Sequence, residues 1–252
     1  MSSEINANAP DGDVSILTNA PNHFLKSLPP TNARMLHPFL KLVNHPSGTR
    51  LSRTGQALER IYFPYSGIVS YTVGFSSGEV VEAGMIGRNS VVGATAPLDD
   101  NLFTNDATVH VNMTGTTVDV GKFKQLMAES DAFRALLARH EEMALAQAQQ
   151  IAACNAVHDL DQRLSRWLLQ ARDLLDSDLL PLTQELLAQI LGVHRSSVTL
   201  SARRLQQAGL VDYQHGKIRI LDVDGLKEVS CECYEALNAH FCSIIGWDPN
   251  HH

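Results

Sequence analysis

The sequence predicts an α+β chain, with strands in its N-terminal half, a long helix in the middle and a winged helix-turn-helix at its C-terminal end. Three features carry that prediction. Short β-rich runs punctuated by turn signals fill residues 24–121. A stretch free of Pro and Gly, crowded with Ala, Leu, Gln and Met, covers residues 122–158. Two apolar-periodic runs joined at Gly192 are followed by an alternating hairpin pattern that ends at Leu221.

In the first half, residues 61–64 and 67–73 are rich in β-branched and aromatic side chains, and Tyr65-Ser66-Gly67 between them reads as a turn. Ser76-Ser77-Gly78-Glu79 is a second turn, followed by a strand over 80–83. Residues 108–113 and 116–120 alternate with period two. Strands at this spacing predict a sandwich or barrel.

From residue 122 strong helix formers take over. Phe133, Leu137, Ala144, Ala148, Ile151 and Asn155 keep roughly heptad spacing, and the small residues among them would let a second copy approach closely. One helix over 122–158 that seats a homodimer is therefore expected; a helix lying on its own barrel is the plainer alternative. Residues 159–176 follow as an amphipathic helix, with Leu160, Leu164, Trp167, Leu168, Ala171 and Leu175 on one face. Asp176, Ser177, Asp178 and Pro181 then break the chain.

The segment from Leu182 carries the functional signal. Thr183 is a natural N-cap, and Leu186, Leu187, Ile190 and Leu191 give a short helix an apolar face. Gly192 supplies a tight turn, because only Gly enters the left-handed region cheaply. A second helix follows from about Arg195, with Val198, Ala202 and Leu205 facing inward. Two helices joined this way form the helix-turn-helix of DNA-binding proteins, whose second helix enters the major groove by its N-terminal residues. Here those are His194, Arg195, Ser196, Ser197 and Thr199. Arg can grip guanine O6 and N7 with two hydrogen bonds, and Ser or Thr can reach base edges or phosphates. Arg203 and Arg204 fall further along, where phosphate is met. Residues 212–221 read as a two-stranded wing with Gly216 at its tip and Lys217 beside it. Between 194 and 221, Arg195, Arg203, Arg204, Lys217 and Arg219 are opposed by Asp212 alone, in a chain of formal net charge −7. That asymmetry suits a DNA-reading face on an acidic protein. A helical hairpin with solvated charges is the plainer reading; the turn glycine, the basic second helix and the wing weigh against it.

With these residues in place, the sequence resembles the Crp/Fnr family of bacterial transcription regulators over nearly its whole length. The resemblance rests on residues 182–221, where Arg195-Ser196-Ser197-Val198 matches the family's Arg-x-[Ser/Thr]-Val, and on residues 62–70 and 82–93, which look like the effector domain of one branch. It implies an N-terminal β-roll (a cyclic-nucleotide-binding-like double-stranded β-helix) over 23–121, a dimerisation helix over 122–158, and a winged helix-turn-helix with a C-terminal helix over 159–252. It implies Arg195, Ser196 and Thr199 as base readers and Gln184 near the DNA backbone at the groove edge. Double-stranded DNA, a second copy of the chain and RNA polymerase are the implied partners. The residues for a cyclic nucleotide are not matched. Gly93 is kept, but Ala94 stands where an acid should follow it, and Asn105 and Asp106 stand where Arg and a hydroxyl residue should be. An Asp there would repel a cyclic phosphate. The signal is thus unread: an unidentified small-molecule effector, no effector at all, or a redox or metal signal.

Other classes find less support. An enzyme on the barrel, as in cupins, would need an H-x-H cluster on neighbouring strands, and the sequence has none; no catalytic residue and no cofactor are expected. The eleven histidines are scattered. Cys154 and His158 share a helix face, and Cys231 and Cys233 lie close in a separate segment; the first pair could hold a metal across a dimer and the second could be redox-active, but helix packing is the plainer reading, and no metal site is expected. The spacing of Val229, Cys233, Leu237, Phe241 and Ile244 predicts a last helix on the DNA-binding domain. No run approaches the roughly 18 apolar residues of a membrane span, and residues 1–22 read as a flexible polar lead-in without the pattern of a secretory signal. A cytoplasmic protein is expected.

Overall fold

The computed structural model describes residues 20–94, 103 and 105–249. Most of the expected lead-in, and His251 and His252, lie outside the described residues. Residues 20–22 are no lead-in. Asn22 is fully buried, caps α1 (His23–Lys26) by accepting the Leu25 N–H, and donates its amide to the carbonyls of Pro64 and Ser90. A second short helix, α2 (Pro30–Leu36), precedes the strands.

One antiparallel sheet contains β1 (Lys41–His45), β2 (Arg50–Ser52), β3 (Arg60–Gly74), β4 (Val80–Ile86) and β5 (Asp106–Asp119), in the order β1-β5-β3-β4, with β2 on the other end of β5. Where two pairs of short strands are predicted, there are two long bent ones. Tyr65-Ser66-Gly67 is no turn but a run of bulges inside β3, where the register against β5 slips between Pro64 and Val69. A Cβ on Gly67, at φ 89°, would lie 2.5 Å from the Asn112 carbonyl oxygen, and one on Gly115 would lie 2.3 Å from that of Phe63. Residues that signal a turn signal a bulge equally well, and the two glycines let the paired backbones press together as the sheet rolls over its core. Phe24, Phe63, Phe123 and Phe133 meet at the centre of that core.

The helix expected over 122–158 is two helices, α3 (Val120–Glu129) and α4 (Asp131–Val157). Ser130 leaves helical geometry, and its hydroxyl accepts the Phe133 N–H. A Ser at an N-cap can start a new helix where neither Pro nor Gly marks a break. The predicted seam on α4 is divided by this arrangement. Phe133 and Leu137 enter the roll's core and Ile151 is buried as well, while Asn155 is exposed. The exposed stripe is Ala135, Ala138, Glu142, Leu145, Gln149, Ala152 and Ala156, spaced alternately by three and four residues along a helix of about 40 Å.

A capping box of Asp159 and Gln162 starts α5 (Leu160–Leu175). Leu164, Trp167, Leu168 and Ala171 are buried as predicted. Leu160 and Leu175 are only half-buried, whereas Ser165, Arg166, Gln170 and Asp173 are buried too. The helix has hardly any solvent face because other elements enclose it. These are β6 (Leu179–Leu180), α6 (Gln184–Leu191), α7 (Arg195–Gln207), β7 (Val211–Gln214), β8 (Lys217–Ile220), α8 (Val223–Val229) and α9 (Cys233–His240). The strands pair as β6-β8-β7. The expected last helix is interrupted after Val229, and α9 runs on into a π-helical turn over Phe241–Ile245. This segment packs on α4 and α5, and the Ile245 carbonyl lies 2.8 Å from His23 Nε2. Cys154 and the Cys231–Cys233 pair, separate in the sequence, meet in one small buried cluster. Among the described residues no helix is long and apolar enough to cross a membrane.

Strand β4 joins the two halves of the molecule. Its Met85 N–H donates to Gln147 Oε1 of α4 at 3.1 Å. Its Glu82 accepts from Trp167 Nε1 of α5 at 2.8 Å and, on the other oxygen, from the Ser70 hydroxyl. Burial pushes the Glu82 carboxyl up to about 7, against the Ser70 and Trp167 hydrogen bonds and the nearby Arg166 charge, which lower it. Because the folded value exceeds the unfolded one, this group stabilises the fold fully below about 4.5 and loses that contribution as pH rises through about 7. Glu82→Gln keeps an acceptor for Trp167 without the charge. We expect it to raise stability at about pH 8, by at most about 3 kcal/mol, and to leave it little changed at about pH 5. Urea unfolding at the two pH values checks this; an equal gain at both would show that the charge is not the cause.

Candidate nucleic-acid interface

Local chemistry sets the helix-turn-helix. The Thr183 hydroxyl accepts the Leu186 N–H at 3.2 Å and starts α6, whose Leu187, Ile190 and Leu191 are buried. Gly192, at φ 64° and ψ 42°, closes it in the left-handed region. Arg163 of α5 donates to the Leu191 carbonyl at 2.5 Å and so fixes that C-terminus from below. α7 then turns Val198, Ser201, Ala202 and Leu205 inward.

The outer face of α7 carries Arg195, Ser196, Leu200 and Arg203, all exposed. His194, at the N-cap, is exposed as well, and Ser197 is half-buried. Arg195 Nε lies 3.7 Å from Glu185 of α6, and both side chains are mostly in solvent, where such a pair contributes little. Thr199 is engaged: its hydroxyl lies 2.6 Å from Gln184 Oε1 and 3.0 Å from the Arg195 carbonyl. The Gln184 amide nitrogen is thereby turned away from Thr199, and the Gln184 backbone N–H donates to the Tyr213 hydroxyl at 3.1 Å. Arg204 differs from the free cation that the sequence suggests. Its guanidinium makes two 2.5 Å hydrogen bonds to Asp161 and ties α7 to α5. Asp161 lies 43 positions away, so its pairing is invisible to a count of local charges. Leu200 is the residue that sequence reasoning overlooked. Its place four after Ser196 puts it on the same face, and it is 53% exposed although apolar. Lys217 is exposed on the wing, beside a two-residue turn in which His215 and Gly216 have φ 50° and 75°.

A second candidate site lies between the roll and α4. It is a cavity of about 230 Å³ lined by Tyr71, Ala83, Gly84, Phe103, Glu141 and Leu145, among others. Gly93 donates its N–H to the Tyr71 hydroxyl at 3.0 Å, and a Cβ there would meet Leu58 Cδ2 at 2.3 Å. Asp106 is occupied by the Thr54 N–H at 2.8 Å and by Arg50 at 3.7 Å. Burial lifts the Glu141 carboxyl to about 7. A mostly apolar lining with one acid, two amides (Asn105 and Gln147) and no cation, around a space smaller than the usual 300–1,000 Å³ of ligand pockets, is poor chemistry for a cyclic phosphate.

The architecture is a β-roll packed against a helical half that holds a helix-turn-helix beside a two-stranded wing. Residues 162–229, from α5 through α8, match the model of the Crp-like helix-turn-helix domain. Over about three quarters of this chain the fold is similar to solved regulator structures. FixK2 from Bradyrhizobium japonicum is 14% identical, with a TM-score of 0.66 over 76% of this chain and 98% of that one. A CRP-family transcriptional regulator from Thermus thermophilus is 16% identical, with 0.63 over 75% and 96%. The c-di-GMP-responsive global regulator CLP from Xanthomonas campestris is 17% identical, with 0.62 over 75% and 98%. No curated protein matches the sequence. Residues 162–229 thus form a Crp-like helix-turn-helix domain, and the fold of the chain is similar to that of solved Crp/Fnr-type regulators.

The turn of that domain is built against the roll. A Cβ on Gly192 would sit 2.9 Å from Val81 Cγ2 of β4, in addition to the left-handed backbone. Gly192→Ala should therefore destabilise the chain by about 1–2 kcal/mol from the backbone alone, with the Val81 contact adding to it. Adding Val81→Ala should recover only the contact part. An unchanged urea midpoint for Gly192→Ala would remove both causes.

Proposed function

We propose that the chain acts as a homodimer on a roughly palindromic operator, with its two α7 helices in successive major grooves about 34 Å apart. The observation that carries this is the exposed polar and basic face at the start of α7, beside a basic wing and below a long helix with a free heptad stripe. Arg195 is the guanine reader, and Ser196 and Ser197 reach base edges or phosphates, with His194 at the groove entrance. Leu200 fits the methyl group of thymine. Thr199 acts through Gln184, whose amide it turns toward the DNA backbone. Arg203 and Lys217 meet phosphate, while Arg204 braces α7 from Asp161 and offers the groove only its outer edge. RNA polymerase is the partner at the promoter. A signal in the roll would reach the reader through β4, which touches α4, α5 and the turn at Gly192.

Operator binding separates these roles. Arg195→Ala should weaken specific binding by about 1–3 kcal/mol and spare most non-specific affinity. Equal loss on operator and random DNA would count against it. Arg203→Ala should instead lower affinity on every sequence and reduce the salt slope by about one. An unchanged slope would take it out of the phosphate contacts.

The seam proposed for the dimer is the stripe from Ala135 to Ala156. Small residues there permit close helix approach. Ala152→Glu should shift the chain toward monomer in sedimentation, whereas Ala132→Glu, exposed but off the stripe, should not. A dimeric Ala152→Glu chain would place the seam elsewhere. The small, mostly apolar cavity favours a second reading, DNA binding without a ligand in the roll; operator affinity that is unmoved by removing bound small molecules is its expected result.

A further inference from the structure

Four side chains from two distant parts of the chain converge at the joint between α4 and α5. Cys154 and His158 lie one turn apart at the end of α4, on the same face. Cys231 and Cys233 flank the start of α9. The three sulfur atoms and one ring nitrogen of His158 all lie within 4.8 Å of one another. Cys154 and Cys231 are 3.5 Å apart, and Cys233 Sγ is 3.6 Å from His158 Nδ1. All three thiols are buried.

We propose that this is a mononuclear tetrahedral metal site of the zinc class, with Cys154, His158, Cys231 and Cys233 as its ligands. The distances fit. Metal–sulfur bonds of about 2.3 Å at tetrahedral angles put sulfur atoms about 3.8 Å apart, within the observed spread. A disulfide needs its sulfurs at about 2.05 Å, well inside the 3.5 Å of the nearest pair. An iron–sulfur cluster interposes iron and sulfide between the thiolates and holds them farther apart than one shared ion does.

The surroundings fit as well. His158 Nε2 lies 3.2 Å from the Glu232 carboxylate. That partner accepts a hydrogen bond from Nε2–H, which fixes the tautomer and leaves the Nδ1 lone pair facing the sulfurs, the carboxylate–histidine–metal arrangement of bound sites. Gln150 Nε2 donates to Cys233 Sγ at 3.0 Å, a bond that a thiolate accepts better than a thiol. Arg166 is 2% exposed and its Nε has no hydrogen-bond partner, while its charge acts on Cys154; Arg163 also acts on Cys154 and Cys231. Three thiolates on a divalent ion carry a net charge of about −1, a counter-charge that neutral thiols would not supply to these cations. As the ion enters, the thiol protons leave to solvent. The bound ion would pin α9 and the C-terminal turn to the joint between the long helix and the DNA-binding domain. This site stands on its own geometry and does not rest on the DNA-reading roles above.

The test is the metal content of the full chain, purified without a metal-affinity step and under anaerobic conditions. About one zinc per chain is expected. After chelation, cobalt(II) should restore one equivalent, with visible ligand-field bands and a near-ultraviolet thiolate charge-transfer band. His158→Cys should keep one equivalent and strengthen that band, Cys231→Ser should weaken it, and Cys242→Ser, outside the cluster, should leave it unchanged. Hydrogen exchange across residues 231–245 should rise on chelation of the unmutated chain. Reduced chain that takes up no cobalt would overturn the proposal. So would a Cys154–Cys231 disulfide, iron with acid-labile sulfide, or a cobalt spectrum that Cys231→Ser does not alter.

Discussion

The hydrogen bond from Trp167 to Glu82 is the contact on which the arrangement of the two halves depends. It places a carboxyl inside a strand that meets the long helix, the helix beneath the helix-turn-helix and the turn at Gly192. A buried carboxyl is costly unless its oxygens are satisfied, and here each has a donor from a different element. Moving α5 away from β4 would leave the indole N–H and one of the two carboxyl oxygens unpaired. The relation between roll and reader is therefore held by more than apolar contact, which would tolerate sliding. Polar pairs have few good geometries, so such a joint is suited to two discrete arrangements rather than a continuum.

What could be read in advance was what neighbours in the chain determine. Thr183 as a cap, Gly192 as the left-handed stop and Gly216 at the wing tip depend on a few adjacent residues, and the structure uses them so. The polar and basic face of α7 was legible for the same reason, since helical spacing alone fixes which residues share it. Leu200 shares that spacing and was passed over because an apolar residue in a helix is usually assigned to the core. The bulges at Gly67 and Gly115 were read as gaps between strands because a glycine permits either, and only the partner strand decides. Ser130 escaped notice because its cap interrupts helix formers of uniform propensity.

What could not be read was set by contacts across long stretches of chain. The Arg204–Asp161 pair converts a residue of the basic face into a tie between helices, and the cysteines become one cluster only when α9 folds back on α4. The heptad on α4 shows the same limit in another form. Two apolar stripes share that helix, and which of them stays free depends on how the roll packs against it. Phe133 and Leu137 belong to the aromatic core, so the small-residue stripe through Ala152 is left outside.

Arg166 connects the two features that sequence reading missed. Its guanidinium is buried one position before Trp167, hydrogen-bonded to Gln170, and its field reaches both Glu82 and Cys154. A buried cation needs nearby negative charge, and these two groups are its sources. The proposed metal site, with three thiolates on one divalent ion, would supply such charge at the end of α4. One side chain of α5 thus stands between the joint at β4 and the joint at the end of α4. Both joints lie where the helical half is set against the roll.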